Sequence, residues 1–400
     1  MKYIVIVPDG AADYPLEELR NKTPLEVART TNLDFMAQNG FTGLVKTIPD
    51  SLSPGSDVGN LALLGYDPQK CYSGRAPLEA ASLGIELKEN EIAFRCNLVT
   101  VEGHTMEDYS AGHIPSKEAS ILIETLNKEM NEPDMKFVAG KSYRHLLIMK
   151  VLNVDALLKL QCTPPHDILG KDITKHFPEG PQSLIILKLM EKSRKILENH
   201  GINKVRVDLG ENTANMIWLW GQGIKPQLPL FKDKHGLKGG IISAVDLING
   251  IGRLTDLKVI QVPGITGYYD TNYNGKAQYA LEALKDNDFV FIHIEGPDEA
   301  GHNGDAKAKI QCIEHIDREI IGTVLNHFDK NDNFRIMVLP DHPTPVSLRT
   351  HARDPVPFVM YGKGIPKDSA EQYNEKTAKE KGLKFKSGEE LMEFFLKKHL

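Results

Sequence analysis

Short apolar runs alternate with amphipathic segments along most of this chain, and several of the runs stop at a carboxylate or an imidazole. Residues 2–7 have the β-branched, apolar texture of a buried strand and end at Pro8-Asp9-Gly10. Residues 24–38 follow as a predicted helix, with Thr23 as its cap, Pro24 at its first position and Gly40 beyond its end. Further strands are predicted over 41–48, 92–101, 258–262, 289–294, 335–339 and 357–361, with helices near Ser243, Gly275 and Asp305. Strands that alternate with helices favour crossover connections. The predicted class is therefore α/β, a mostly parallel sheet with helices on both faces.

The texture changes between residues 102 and 175. A helix over 116–130, short strands over 136–138 and 144–151, and the loop Thr163-Pro-Pro-His-Asp167 form a compact α+β unit there. After a helix over 182–200 the strand-helix alternation resumes at Met216. The expected division is a discontinuous core, 1–110 and 181–400, interrupted by a small cap domain over 111–180.

With 41% hydrophobic and 26% charged residues among 400, the chain has the make-up of a globular protein rather than a disordered one. A net charge of −6 supplies no basic field for nucleic acid or an anionic membrane. No apolar run reaches the roughly 18 residues needed to cross a bilayer, and the first run is too short for a signal peptide. A cytoplasmic location is expected. Cys71, Cys96, Cys162 and Cys312 form no Cys-x-x-Cys pair and read as reduced, structural thiols.

The chemistry gathers around Ser56. The loop over 51–55 (Ser-Leu-Ser-Pro-Gly) runs into an apolar helix beginning near Asp57, which puts Ser56 at a helix N-terminus. Unpaired N–H groups there stabilise an alkoxide or a phosphate, although Ser and Asp are also ordinary helix caps. Three strand ends add weight to the first reading: Asp9, the segment Glu295-Gly-Pro-Asp298-Glu-Ala-Gly-His302, and Pro340-Asp341-His342. Ligands of open α/β sheets bind beyond the carboxyl ends of strands, so these groups are expected on one edge. His351, in the loop that follows, is close enough in sequence to join them. His104, His176, His200, His235 and His327 lack such a position and read as ordinary surface or core residues. Carboxylates and imidazoles without thiolate favour manganese or zinc, with magnesium suitable where water completes the shell. Asp9, Asp298, His302, Asp341, His342 and His351 together with Ser56 exceed what one divalent ion takes from protein. Two ions about 3.5–4 Å apart, suited to phosphoryl displacement, are expected.

In this order, Asp9, Ser56-Asp-Val-Gly-Asn60, Asp298-Glu-Ala-Gly-His302, Asp341-His342 and His351 resemble the alkaline phosphatase superfamily, and more closely its archaeal-type, cofactor-independent (2,3-bisphosphoglycerate-independent) phosphoglycerate mutases. The likeness extends through Ser73-Gly-Arg-Ala-Pro-Leu-Glu-Ala80, Asp108-Tyr-Ser-Ala-Gly-His113, Ser142-Tyr-Arg-His145, Pro164-Pro-His-Asp167 and Ile265-Thr-Gly-Tyr-Tyr-Asp-Thr271. The resemblance implies one metal on Asp298, His302 and His351, and a second on Asp9, Ser56, Asp341 and His342. It implies that Ser56 carries the phosphoryl group between 3-phosphoglycerate and 2-phosphoglycerate, without bisphosphoglycerate, while the cap excludes water. Arg75, His113, Arg144 and Lys276 would contact the substrate's carboxylate and phosphate, His113 alternatively serving as a proton shuttle. The implied partner is a small phosphorylated metabolite, with no nucleic acid and no membrane; the oligomeric state is open. Mutases, phosphatases and kinases share these core motifs, so a homoserine kinase or a phosphomonoesterase stands as the alternative. No Gly-x-x-x-x-Gly-Lys-Ser/Thr loop is present for a nucleotide.

Overall fold

The computed structural model describes residues 1–329 and 332–397. They form two compact units, one made of Met1–Tyr72 with Gln227–Leu400 and the other of Ser73–Pro226.

The first unit holds an eight-stranded sheet. Its order from edge to edge is Leu383–Phe385, Phe41–Val45, Val356–Gly362, Phe334–Val338, Lys2–Pro8, Phe289–Ile294, Gly239–Ile242 and Lys258–Val259. Lys2–Pro8 lies between Phe334–Val338 and Phe289–Ile294 and is parallel to both. Apart from Lys2, His293 and Arg335 these three strands are apolar, and all but Lys2 is buried. Val356–Gly362 departs from the parallel pattern, pairing antiparallel with both Phe334–Val338 and Phe41–Val45. The cause lies in the connection. No helix intervenes between Phe334–Val338 and Val356–Gly362, and without a crossover the chain can only turn back.

The helix predicted over 24–38 is two helices, Pro24–Val27 and Thr31–Asn39. Thr23 caps the first in a reciprocal box with Glu26, as its sequence position implies. The break has a tertiary cause. Ala28 is extended, Glu314 accepts from the Arg29 N–H at 3.0 Å, and the Asp317 carboxylate accepts from the N–H groups of Asn32 (3.2 Å) and Leu33 (2.8 Å). A distant carboxylate thus caps the second helix, whose own Thr30 makes no cap bond. The predicted strands over 41–48 and 258–262 shorten to Phe41–Val45 and Lys258–Val259.

The second unit is built on the long strand Glu91–Glu102, which pairs antiparallel with Arg144–Lys150, with Met216–Gly223 and, near its end, with Thr105–Asp108. Met135–Val138 extends this sheet beside Arg144–Lys150. Helices Ser116–Met130 and Ser183–Leu197 contribute Leu122, Leu126, Ile186 and Met190 to one apolar core with Leu147 and Trp218. The segment expected as the cap, 111–180, lies within this second unit, whose ladder also takes in Glu91–Glu102 and Met216–Gly223. Among the described residues no helix is long and apolar enough to cross a membrane, and the four cysteines are free thiols.

Candidate active site

Within the first unit the register of the central strands sets the site. Pro8 faces Ile294 and Ile6 faces Val338, so the three carboxyl ends stop at one level. Asp9 follows the first strand, with its N–H on the Ile294 carbonyl at 2.9 Å. Asp298 and His302 occupy helix Gly296–Asn303 four residues apart, which places them on one face, with His302 Nε2 3.3 Å from Asp298 Oδ2. His351 Nε2 stands 3.0 Å from His302 Nε2 and 3.5 Å from Asp298 Oδ1. His342 Nε2 lies 3.5 Å from Asp9 Oδ1 and 3.5 Å from Asp341 Oδ2. Ser56 completes the group, its Oγ 3.3 Å from Asp9 Oδ2 and 3.2 Å from His342 Nε2.

Ser56 opens helix Ser56–Leu63 but makes no capping bond, Gly55 being the cap. Its hydroxyl is spent on the strand ends instead. Gly59 allows that approach: a Cβ there would meet the Asp341 carbonyl oxygen at 2.8 Å and the Asp341 Cβ at 2.9 Å. Asn60 then bridges the two elements, its Nδ2 donating to the Ser56 carbonyl (2.8 Å) and to Asp341 Oδ2 (2.7 Å). Asp57, the next residue, accepts from Val58 N at 3.0 Å and from the Tyr72 hydroxyl at 2.6 Å. Behind the edge a buried ion pair pins the loops. Lys309 Nζ lies 2.7 Å from Asp13 Oδ2 and donates to the Thr344 carbonyl at 2.8 Å, while the Thr344 hydroxyl donates to Asp298.

The charges of the site are unbalanced. Asp9, Asp298 and Asp341 are all buried, and Asp9 and Asp341 bring ligand atoms within 4.8 Å of one another. Burial, followed by repulsion from Asp341 and Asp298, pushes the Asp9 carboxyl well above the usual carboxylate range. Burial works to lower His302, yet its contact with Asp298 raises it to about 9, whereas burial prevails at His342 and lowers it. A buried carboxylate crowd of this kind calls for a cation. Two sets of side chains each bring three ligand atoms within 4.8 Å of one another: Asp298 with His342 and His351, and Asp9 with His293 and Asp341. The donor chemistry therefore fits divalent metal. His293 had no place in the sequence reading, because it lies inside the apolar run Phe-Val-Phe-Ile-His-Ile rather than beyond its end. An imidazole in the middle of a strand buried on both faces was the available signal.

A family model described as 2,3-bisphosphoglycerate-independent phosphoglycerate mutase matches residues 37–203. Over 399 residues the chain is 50% identical to the 2,3-bisphosphoglycerate-independent phosphoglycerate mutase of Methanosarcina barkeri, covering 99% of this chain and 100% of the relative. The chain belongs to this mutase family. A solved Pyrococcus horikoshii protein matches with a TM-score of 0.83 at 30% identity, covering 99% of this chain and 96% of that one. The cofactor-independent phosphoglycerate mutase of Thermoplasma acidophilum matches with a TM-score of 0.67 at 27% identity, covering 99% of both chains. None of these relatives is named as a homoserine kinase or a phosphomonoesterase, and those alternatives find no support.

Three of the residues expected to meet substrate in a mutase of this family, Arg75, His113 and Arg144, lie in the second unit. Asp108 shapes the loop that carries His113. Burial opposes ionisation of its carboxyl, but hydrogen bonds from the Ser110 hydroxyl, Asn212 and the N–H groups of Ser110 and Gly112 hold it below the usual value. The turn so fixed gives Ala111, Gly112 and His113 positive φ. His113 and Arg144 both flank Tyr143, with ring centroids 5.9 Å apart for the first and the guanidinium carbon 5.7 Å from the ring for the second. Arg95, absent from the sequence reading, is the buried centre of this cluster. It packs 4.2 Å over Trp220 and bonds Glu79 at 3.1 Å; burial, opposed by Glu79 and reinforced by Arg75 and Arg144, lowers its pKa. Lys276 lies in the first unit and is buried, its Nζ donating to the His293 carbonyl at 2.7 Å. Burial, partly offset by Glu295, lowers it to about 8.

Proposed function

We propose that this chain is a cytoplasmic enzyme that interconverts 3-phosphoglycerate and 2-phosphoglycerate through a phosphoserine at Ser56. The position of Ser56 carries the reading: its hydroxyl sits at a helix N-terminus and touches both Asp9 and His342. The near full-length identity to relatives named for this reaction supports the substrate. Asp298, His302 and His351 would hold one divalent ion, and Asp9, Ser56, Asp341 and His342 a second, with manganese or zinc favoured by the donor types and magnesium compatible with added water. Bound there, the ions would supply Lewis-acid charge and lower the pKa of the serine hydroxyl. The chain's own part is to orient that hydroxyl, through Asn60 and the contact of Gly59 with Asp341, and to return the phosphoryl group to the other glycerate hydroxyl. Arg75, His113, Arg144 and the remaining N–H donors of Lys276 are proposed to hold the substrate's carboxylate and phosphate, guanidinium forks matching such anions. Water must be kept from the phosphoserine, a task assigned to the inserted unit.

The test is phosphorus NMR of protein given manganese and 3-phosphoglycerate, with no bisphosphoglycerate. The expected result is 2-phosphoglycerate with little free phosphate. Free phosphate as the main product, or no turnover, would contradict the reading.

A further inference from the structure

His293 has no role among the proposed metal ligands, yet its surroundings give it one. It is wholly buried, and its Nε2 has no hydrogen-bond partner; Asp9 Oδ1, equally buried, has none either. Leaving such groups unpaired costs about 1–3 kcal/mol each. The two residues are nonetheless neighbours: Nε2 comes within 3.0 Å of Asp9 Oδ2 without the alignment of a hydrogen bond.

A cation held between the Asp9 carboxylate and His293 accounts for the unpaired Nε2. Ligands about 2.1 Å from a common ion stand about 3.0–3.4 Å from one another, the edge of an octahedron or a tetrahedron. The separations from Asp9 Oδ2 match: 3.0 Å to His293 Nε2 and 3.3 Å to Ser56 Oγ. The opposite ring nitrogen, Nδ1, lies 3.3 Å from Ser243 Oγ, which itself accepts from Val245 N–H at 3.0 Å. Metal-bound imidazoles are oriented by this kind of outer contact. Lys276 holds the backbone of the same residue by its carbonyl.

We propose that His293 binds metal through Nε2, as a further ligand of the ion assigned to Asp9, Ser56, Asp341 and His342. The proposal rests on the two-metal reading of the edge. It makes that ion richer in imidazole, and it gives the interior of the strand, as well as its end, a part in the site.

The test is proton NMR of the protein loaded with cobalt(II) in water. An imidazole bound through one nitrogen keeps an N–H on the other, which gives a strongly shifted, solvent-exchangeable signal. In His302, His342, His351 and His293 alike, Nδ1 faces an oxygen, of Arg349, Thr344, Pro54 and Ser243 respectively, so Nε2 is the nitrogen left for metal. Four such signals are expected from the wild-type protein. His293→Gln should remove one of them and weaken one of the two cobalt ions at least tenfold by equilibrium dialysis, leaving the other unchanged. Three signals from wild-type protein that binds two cobalt ions would overturn the role of His293 alone. Failure to bind cobalt would overturn the two-metal reading and this proposal with it.

Discussion

The strand edge of the first unit and the arginine cluster of the second are both built from sheets, but the sheets select their residues differently. In the first unit parallel strands end together, so whatever follows each strand is delivered to one place; Asp9, Asp298 and the pair Asp341-His342 arrive there from three separate stretches of sequence. In the second unit antiparallel register does the gathering: Asn97 pairs with Arg144, and Arg95 lies opposite Leu146 on one side and Trp220 on the other. The first edge is acidic and buried, the second cationic and aromatic. An acidic edge suits cations, and a cationic one suits anions. Chemistry and recognition should therefore come apart on mutation.

The largest effect should follow Ser56→Ala. Loss of a nucleophile lowers turnover by about 10⁴-fold or more, and circular dichroism and melting should stay as in the wild type; substantial activity would remove the serine from the mechanism. Asp341→Ala should come next. Metal content by atomic spectroscopy should fall together with turnover, beyond the roughly 10–100-fold that outer-shell changes bring. Arg144→Ala tests the other side of the comparison. Losing a charged hydrogen bond of about 1.5–3 kcal/mol should raise KM by about 10–100-fold with metal content unchanged; a loss of metal would collapse the distinction between the two regions.

The smallest effect concerns stability alone. The Glu375 carboxylate accepts from the N–H of Asp13 and the hydroxyl of Thr23, and burial raises its pKa to about 7. Because the folded value is raised, the protonated form is the one that folding favours. The stabilising contribution is complete below the unfolded carboxyl pKa and is lost as pH rises through about 7. Denaturant unfolding between pH 5 and pH 8, values chosen on the order of one to two units either side of that pKa, should show a decline of about 1–3 kcal/mol from this group. Glu375→Gln should flatten the decline and leave turnover untouched.

What the sequence disclosed follows the same division. Strand ends are legible because an apolar run and its terminal Asp are adjacent in the chain, and Ser56 with the six residues expected around it does assemble. Strand direction was not legible at Val356–Gly362, since alternation carries no sign of a missing crossover. The break at Ala28 depends on Asp317, nearly three hundred residues away, and no local propensity reports it. Arg95 and the full extent of the second unit depend on register, which residue types alone do not encode. His293 was hidden by its own neighbours, the apolar residues that make the strand.

The central claim is that Ser56 takes the phosphoryl group. Protein mixed with manganese and 3-phosphoglycerate, quenched in acid during turnover and digested for mass spectrometry, tests it directly. Phosphate on the peptide containing Ser56, absent from protein without substrate, is the predicted result. A peptide that stays unmodified while 2-phosphoglycerate accumulates, or a phosphate found on another residue, would contradict the account.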